Sequence, residues 1–187
     1  KEFYALGNSI IYKIGINGDY LWPKGANLPK GKVTKFEILP EGLVIATDGG
    51  SKNNKYFTPS SKITFLDAST GENLWEKAAR FEGYVQHFYV REDGILFGAS
   101  EGGINKVSFD GKPLFKKPLK TGENILIMAE TQMGLLYITS EDANIVNLET
   151  GQMVWDKPLK YKGSDIISSD YDPKTNQFLI LAGTELF

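Results

Sequence analysis

His87 is the single histidine in 187 residues, so any scheme in which an imidazole activates a hydroxyl nucleophile has to pass through it. No Gly-x-Ser-x-Gly segment accompanies it. It stands inside Tyr84-Val85-Gln86-His87-Phe88-Tyr89-Val90, a strand pattern, and is read as a channel-facing or internally bonded histidine without a catalytic partner. The absence of cysteine removes thiol nucleophiles, thiolate metal sites and disulfides together. Oxygen donors alternate in Asp170-Tyr171-Asp172-Pro173-Lys174-Thr175-Asn176, but the later Gly and the closing Glu of a calcium loop are missing. Pro followed by Thr-Asn suits a hairpin turn, so no metal is assigned there. No catalytic residue, metal or cofactor is expected from these positions.

Two other groups of side chains could bind rather than react. The segment from Asp48 to Ser61 combines Gly50-Ser51 and the adaptable amides Asn53 and Asn54 with Tyr56 and Phe57, two rings that are costly to expose without a partner. These four residues are the candidate binding positions. Lys112, Lys116, Lys117, Lys120, Lys157, Lys160 and Lys162 recur at matching places and are read as a solvated rim that blunts a sheet edge. Twenty-one Lys and Arg against 23 Asp and Glu leave a net charge of -2, with neither sign in a block, which argues against a nucleic-acid partner. No apolar run approaches the roughly 20 residues of a membrane span, and Lys1-Glu2-Phe3-Tyr4 lacks the layout of a signal peptide.

The elements that must position these groups come from a repeat. Asn144 to Trp155 has a counterpart forty residues earlier, Ile104 to Phe115, a third copy at Thr64 to Trp75, and a fourth at Ile11 to Trp22. The aromatic anchors Trp22, Trp75, Phe115 and Trp155 are thus spaced by 53, 40 and 40 residues, and each follows a glycine, Gly18, Gly71, Gly111 and Gly151, by four. The long first interval holds the Asp48–Ser61 insertion. Upstream of each anchor lies an apolar run, such as Leu43-Val44-Ile45-Ala46 or Leu135-Leu136-Tyr137-Ile138, bounded by turn residues. Four short strands per forty residues, called A to D from the inside outwards, predict an all-β propeller of four-stranded antiparallel blades. The glycines fall in the C–D turns, where a positive φ is wanted. The anchors fall on the outer strands and are expected to bury against the neighbouring blade.

Read this way, 1–187 is one propeller segment: a part-blade 1–22, blades 23–75, 76–115 and 116–155, and a part-blade 156–187 with strands A and B near Asp165–Ser169 and Gln177–Ala182. The remaining blades are expected from the rest of a longer chain or from other subunits, since both ends would otherwise expose sheet edges.

Leu66-Asp67-Ala68-Ser69-Thr70-Gly71-Glu72-Asn73-Leu74-Trp75 closely resembles the tryptophan-docking motif of pyrroloquinoline-quinone-type propeller repeats, and Leu148 to Trp155 matches nearly as well. The resemblance covers almost the whole chain. In that family the motif usually opens with Ala, against which the Trp packs, and the corresponding positions here are Tyr12, Phe65, Asn105 and Ile145. The family spans quinone-dependent dehydrogenases, non-enzymatic outer-membrane assembly lipoproteins and sensor domains, so architecture is implied more sharply than activity. The dehydrogenases use calcium ligands, an Asp base and commonly a ring of adjacent cysteines, and no such set maps onto this chain. The expectation is a non-enzymatic scaffold presenting loops to a protein or carbohydrate partner in an exported or cell-envelope protein. A fragment of a quinone-dependent dehydrogenase is the alternative.

Overall fold

The computed structural model describes residues 1–187 apart from 8, 49–59, 101–102, 123, 161–165, 173, 176, 183–184 and 187. Its described residues form five consecutive antiparallel sheets with no helix. The first holds β1 (Glu2–Leu6), β2 (Ile10–Gly15) and β3 (Ala26–Asn27). The second holds β4 (Val33–Ile38), β5 (Gly42–Asp48), β6 (Ser60–Asp67) and β7 (Ala79–Glu82). The third has β8 (Val85–Arg91), β9 (Gly94–Ala99) and β10 (Gly103–Val107), and the fourth β11 (Ile127–Thr131), β12 (Gly134–Ile138), β13 (Asp142–Val146) and β14 (Leu159–Lys160). The fifth has β15 (Ile166–Asp172), β16 (Gln177–Ala182) and β17 (Glu185–Leu186).

In every sheet chain order is spatial order, which tight turns between successive strands enforce. Strand β8 touches both β4 and β11, so the first strand of each full sheet is the inner one. The second strands of the three middle sheets are buried on both faces, which explains why they read as continuous apolar runs instead of alternating. Successive residues still divide between neighbours. Leu43 and Ile45 pack with Ile11 and Trp22 of the first sheet, while Val44 and Ala46, with Ile63 and Phe65, face Ile95, Phe97 and Val107 of the third. Leu96 and Ile104 in turn meet Leu135 and Val146, and Leu136 and Ile138 meet Ile180. These are the blades of an open β-propeller. Among the described residues the first and last sheets share no strand pairing.

Three details differ from the sequence expectation. The anchors do not lie on the outer strands. Trp75, Phe115 and Trp155 occupy bends between an isolated bridge and a second short pairing, as in Leu66 with Asn73 followed by β6 with β7. A large ring can reach the next sheet only by leaving the ladder, and Pro118 and Pro158 after two of the bends lack the N–H to keep it continuous. The sheets therefore run past the anchors, so limits drawn at 75, 115 and 155 cut off β7, the Ile104–Leu119 bridge and β14. The third sheet has only bridges for its outer strand, and the fifth adds the short β17 to the two strands expected there.

Candidate functional site

Among the described residues, the blades are fixed to one another by a contact that the repeat supplies at three of the four junctions. The ring of Trp22 lies over the C–D turn of the second sheet, its Nε1 donating to the Ser69 carbonyl at 3.2 Å. Gly71 takes φ +75° there, and a Cβ on it would stand 2.7 Å from the indole. Trp75 repeats this on the third sheet, with Nε1 donating to Phe109 O at 2.8 Å and Gly111, φ +81°, 2.8 Å from the ring by the same measure. Phe115 has no N–H to donate, and Gly151 sits farther off, its Cβ position 3.9 Å from the ring and 3.6 Å from Leu119. Trp155 has its backbone held by Asn144, whose Oδ1 accepts from Trp155 N at 3.2 Å and whose Nδ2 donates to Trp155 O at 3.1 Å. Its ring is only half-buried. Gly18, φ +90°, is exposed.

Turn chemistry shapes these contacts. The Asp67 carboxylate accepts from Ser69 N (2.8 Å) and Thr70 N (2.7 Å), and those bonds hold its pKa below the usual carboxylate value. Asn147 does the same for Glu149 and Thr150 in the fourth sheet. The first and third copies have shorter turns: Ile14 bridges Tyr20 and Val107 bridges Pro113, six residues on, against seven for Leu66 with Asn73 and Val146 with Met153. Alignment on the anchor is therefore off by one in those copies. By register, Lys13 and Lys106, not Tyr12 and Asn105, match Phe65 and Ile145.

One rim of the blades carries both the B–C turns and the D–A crossovers, and the stem of the insertion lies on it. Tyr56, Phe57, Asn53 and Asn54 lie outside the described residues. The stem is described. Asp48 pairs with Ser61 at the end of the β5–β6 ladder. Its carboxylate accepts from Lys32 N at 2.7 Å and its own N–H donates to Lys32 O at 2.8 Å, tying the stem to the crossover entering the second sheet. The buried Ser61 hydroxyl donates to Gly83 O and accepts from Val85 N, each at 2.9 Å, tying it to the crossover leaving that sheet. Lys62 Nζ adds a bond to Lys30 O at 3.3 Å. A sequence reading had no signal for these clamps, because both partners of each are crossover backbone.

On the inner strands, His87 Nε2 lies 3.0 Å from the Ile125 carbonyl, and burial lowers the imidazole pKa, so the neutral ring donating its Nε2–H fits the site. It links the third sheet to the segment entering the fourth. Tyr89 and Arg91 of β8 both bond the Glu130 carboxylate on β11, a second bond between neighbouring inner strands. Asp93 pairs with the almost fully buried Lys106, whose ammonium lowers its pKa. Burial, with Asp142 nearby, pushes the Tyr137 hydroxyl up to about 12. Asp172 accepts from Lys174 N (2.9 Å) and Thr175 Oγ1 (2.7 Å), the bonding of a turn. Among the described residues no group of three or more His, Asp or Glu side chains is placed to hold a metal. Lys112, Lys116, Lys117, Lys120, Lys157 and Lys160 are exposed.

No family model and no curated protein matches the chain. Solved structures do. The computationally designed Ika4 protein superposes with a TM-score of 0.61 at 15% identity, over 84% of this chain and 91% of that one. The designed Ika8 protein gives 0.60 at 14% identity, over 96% of this chain and 54% of that one. The WD40 β-propeller domain of Doa1 gives 0.50 at 12% identity, over 99% and 72%. These likenesses establish the propeller fold. Among the described residues no helix is long and apolar enough to cross a membrane.

Proposed function

We propose that the chain is a non-enzymatic propeller scaffold whose 49–59 segment contacts a protein or carbohydrate partner, within an exported or cell-envelope protein of the pyrroloquinoline-quinone-type repeat family. The observation that carries this reading is the double clamp on the segment's stem. Asp48 and Ser61 are each hydrogen-bonded to a different blade crossover. A loop of no use needs no such fastening, whereas a binding loop profits from a rigid base that lowers the entropy lost on contact.

The test is to replace residues 49–59 by a turn like that joining β9 to β10. Stability should change by about 1 kcal/mol, because loop-closure entropy varies slowly with length. Retention of partners on glycan and peptide arrays should fall, and Tyr56→Ala with Phe57→Ala should reproduce most of the fall. Unchanged retention would sink the assignment of this loop. Saturable binding of pyrroloquinoline quinone with calcium would instead favour a dehydrogenase fragment.

A further inference from the structure

The outer segments of the first four sheets present their edges to solvent, and the edges are not alike. Among the described residues β3 and β14 are two residues long and the third sheet has only bridges, whereas β7 runs for four, Ala79–Glu82. Pro29, Pro118 and Pro158 flank the outer segments of the first, third and fourth sheets, and a proline at an edge denies an incoming strand a donor. Residues 72–84 hold no proline. Of these four edges, that of the second sheet is the unguarded one.

The direction of its backbone follows from the ladder. Leu74 N–H donates to Phe65 O at 2.8 Å, so the odd-numbered residues of β6 turn their backbone towards the outer strand. Ser61 and Ile63 accordingly face Phe81 and Ala79 in hydrogen-bonded pairs, and the N–H and C=O groups of Arg80 and Glu82 point to the open edge. Phe81 packs edge-on against Phe97, ring centroids 4.4 Å apart, which holds the strand in place. Arg80 and Glu82 share the opposite face and are exposed. Among the described residues neither side chain has an ion-pair or hydrogen-bond partner. Lys62 stands directly opposite Arg80 in the β6–β7 register, a like-charge pair that disfavours the strand as it stands alone.

We propose that the β7 edge is a dimer interface, at which two copies of this chain join their second sheets into one continuous sheet. The edge is self-complementary. Two β7 strands laid antiparallel about Phe81 set Arg80 of each copy opposite Glu82 of the other. Both pairs fall where the backbone groups face outwards, as the hydrogen-bonded pairs of an antiparallel ladder require. Glu82 of the second copy supplies the carboxylate that the Lys62–Arg80 pair lacks. The contact is isologous, so it closes at two copies.

Sedimentation equilibrium of the full 187-residue chain from micromolar to millimolar concentration tests this. A contact this short lies at the small end of protein interfaces, so the expected result is a weak monomer–dimer equilibrium with no larger species. Arg80→Glu and Glu82→Arg each set like charges opposite one another twice in the dimer. Each should weaken association about tenfold at low salt, and combining them should restore it. Glu82→Pro should abolish association with the fold intact, because the N–H that it removes points away from β6. A monomer at every concentration overturns the proposal. So does association that survives Glu82→Pro, ignores the single reversals or is not restored by the double one.

Discussion

The junctions made by Trp22 and Trp75 differ from the one made by Phe115, and the difference separates two ways of fixing a blade. At the first two an indole covers a glycine at contact distance and donates to a turn carbonyl, so the angle of the ring is set by a bond as well as by packing. At the third the bond is gone, the glycine stands back, and Leu119, Leu148 and Met153 join Phe115 in filling the space. Packing alone seats that anchor, and the polar links between these two blades lie at the inner strands, where His87 meets the Ile125 carbonyl and Tyr89 and Arg91 meet Glu130. Packing also permits more latitude, because apolar contact has no direction whereas a hydrogen bond does.

Breaking the comparison should give its largest effect at the indoles. Trp22→Ala or Trp75→Ala is expected to lower the unfolding free energy by about 3–5 kcal/mol in denaturant titrations, through lost burial, an open cavity and an unpaired carbonyl. Phe115→Ala should cost less, about 2 kcal/mol, because the ring is only half-buried and its neighbours can close in. Phe115→Trp sharpens the contrast: with Gly151 set back there is room for the indole, and a change within about 1 kcal/mol of wild type is expected. The smallest effect concerns His87. Its folded pKa is lowered, so the unfolded chain binds the proton more readily. Its contribution is complete above the ordinary histidine value of about 6.5 and is lost as pH falls from there through the lowered folded value. Denaturant midpoints between pH 8 and 5 should show this decline, and His87→Asn should flatten it.

How far the sequence carried these conclusions varies with the residue. The forty-residue period, the positive-φ glycines and the runs buried on both faces were legible because each depends on local composition. The one-residue difference in the C–D turns was not, since aligning on the aromatic hides a change in the turn before it, and Lys13 and Lys106 were therefore missed as the register equivalents of Phe65 and Ile145. A lysine on a strand suggests solvent, yet Lys106 is 4% exposed because Asp93, from the β8–β9 turn, neutralises it. Strand β7, Ala-Arg-Phe-Glu, was assigned with the 76–115 blade instead of the one it closes, because an edge strand has one dry face and few residues with which to show its partner. The insertion was visible as a break in period, but its clamps to residues 32, 83 and 85 required the fold.

The claim that the anchors Trp22, Trp75 and Phe115 dock on the glycine turn of the next blade is tested most directly by a double-mutant cycle between Trp75 and Gly111. In the wild-type background Gly111→Ala combines positive-φ strain with a methyl group against the indole and should cost about 2–3 kcal/mol. With Trp75→Ala already in place only the strain remains, about 1 kcal/mol, so the coupling should reach at least about 1 kcal/mol. Costs that add to within about 0.3 kcal/mol would mean that ring and glycine do not meet, and the junctions described here would be wrong.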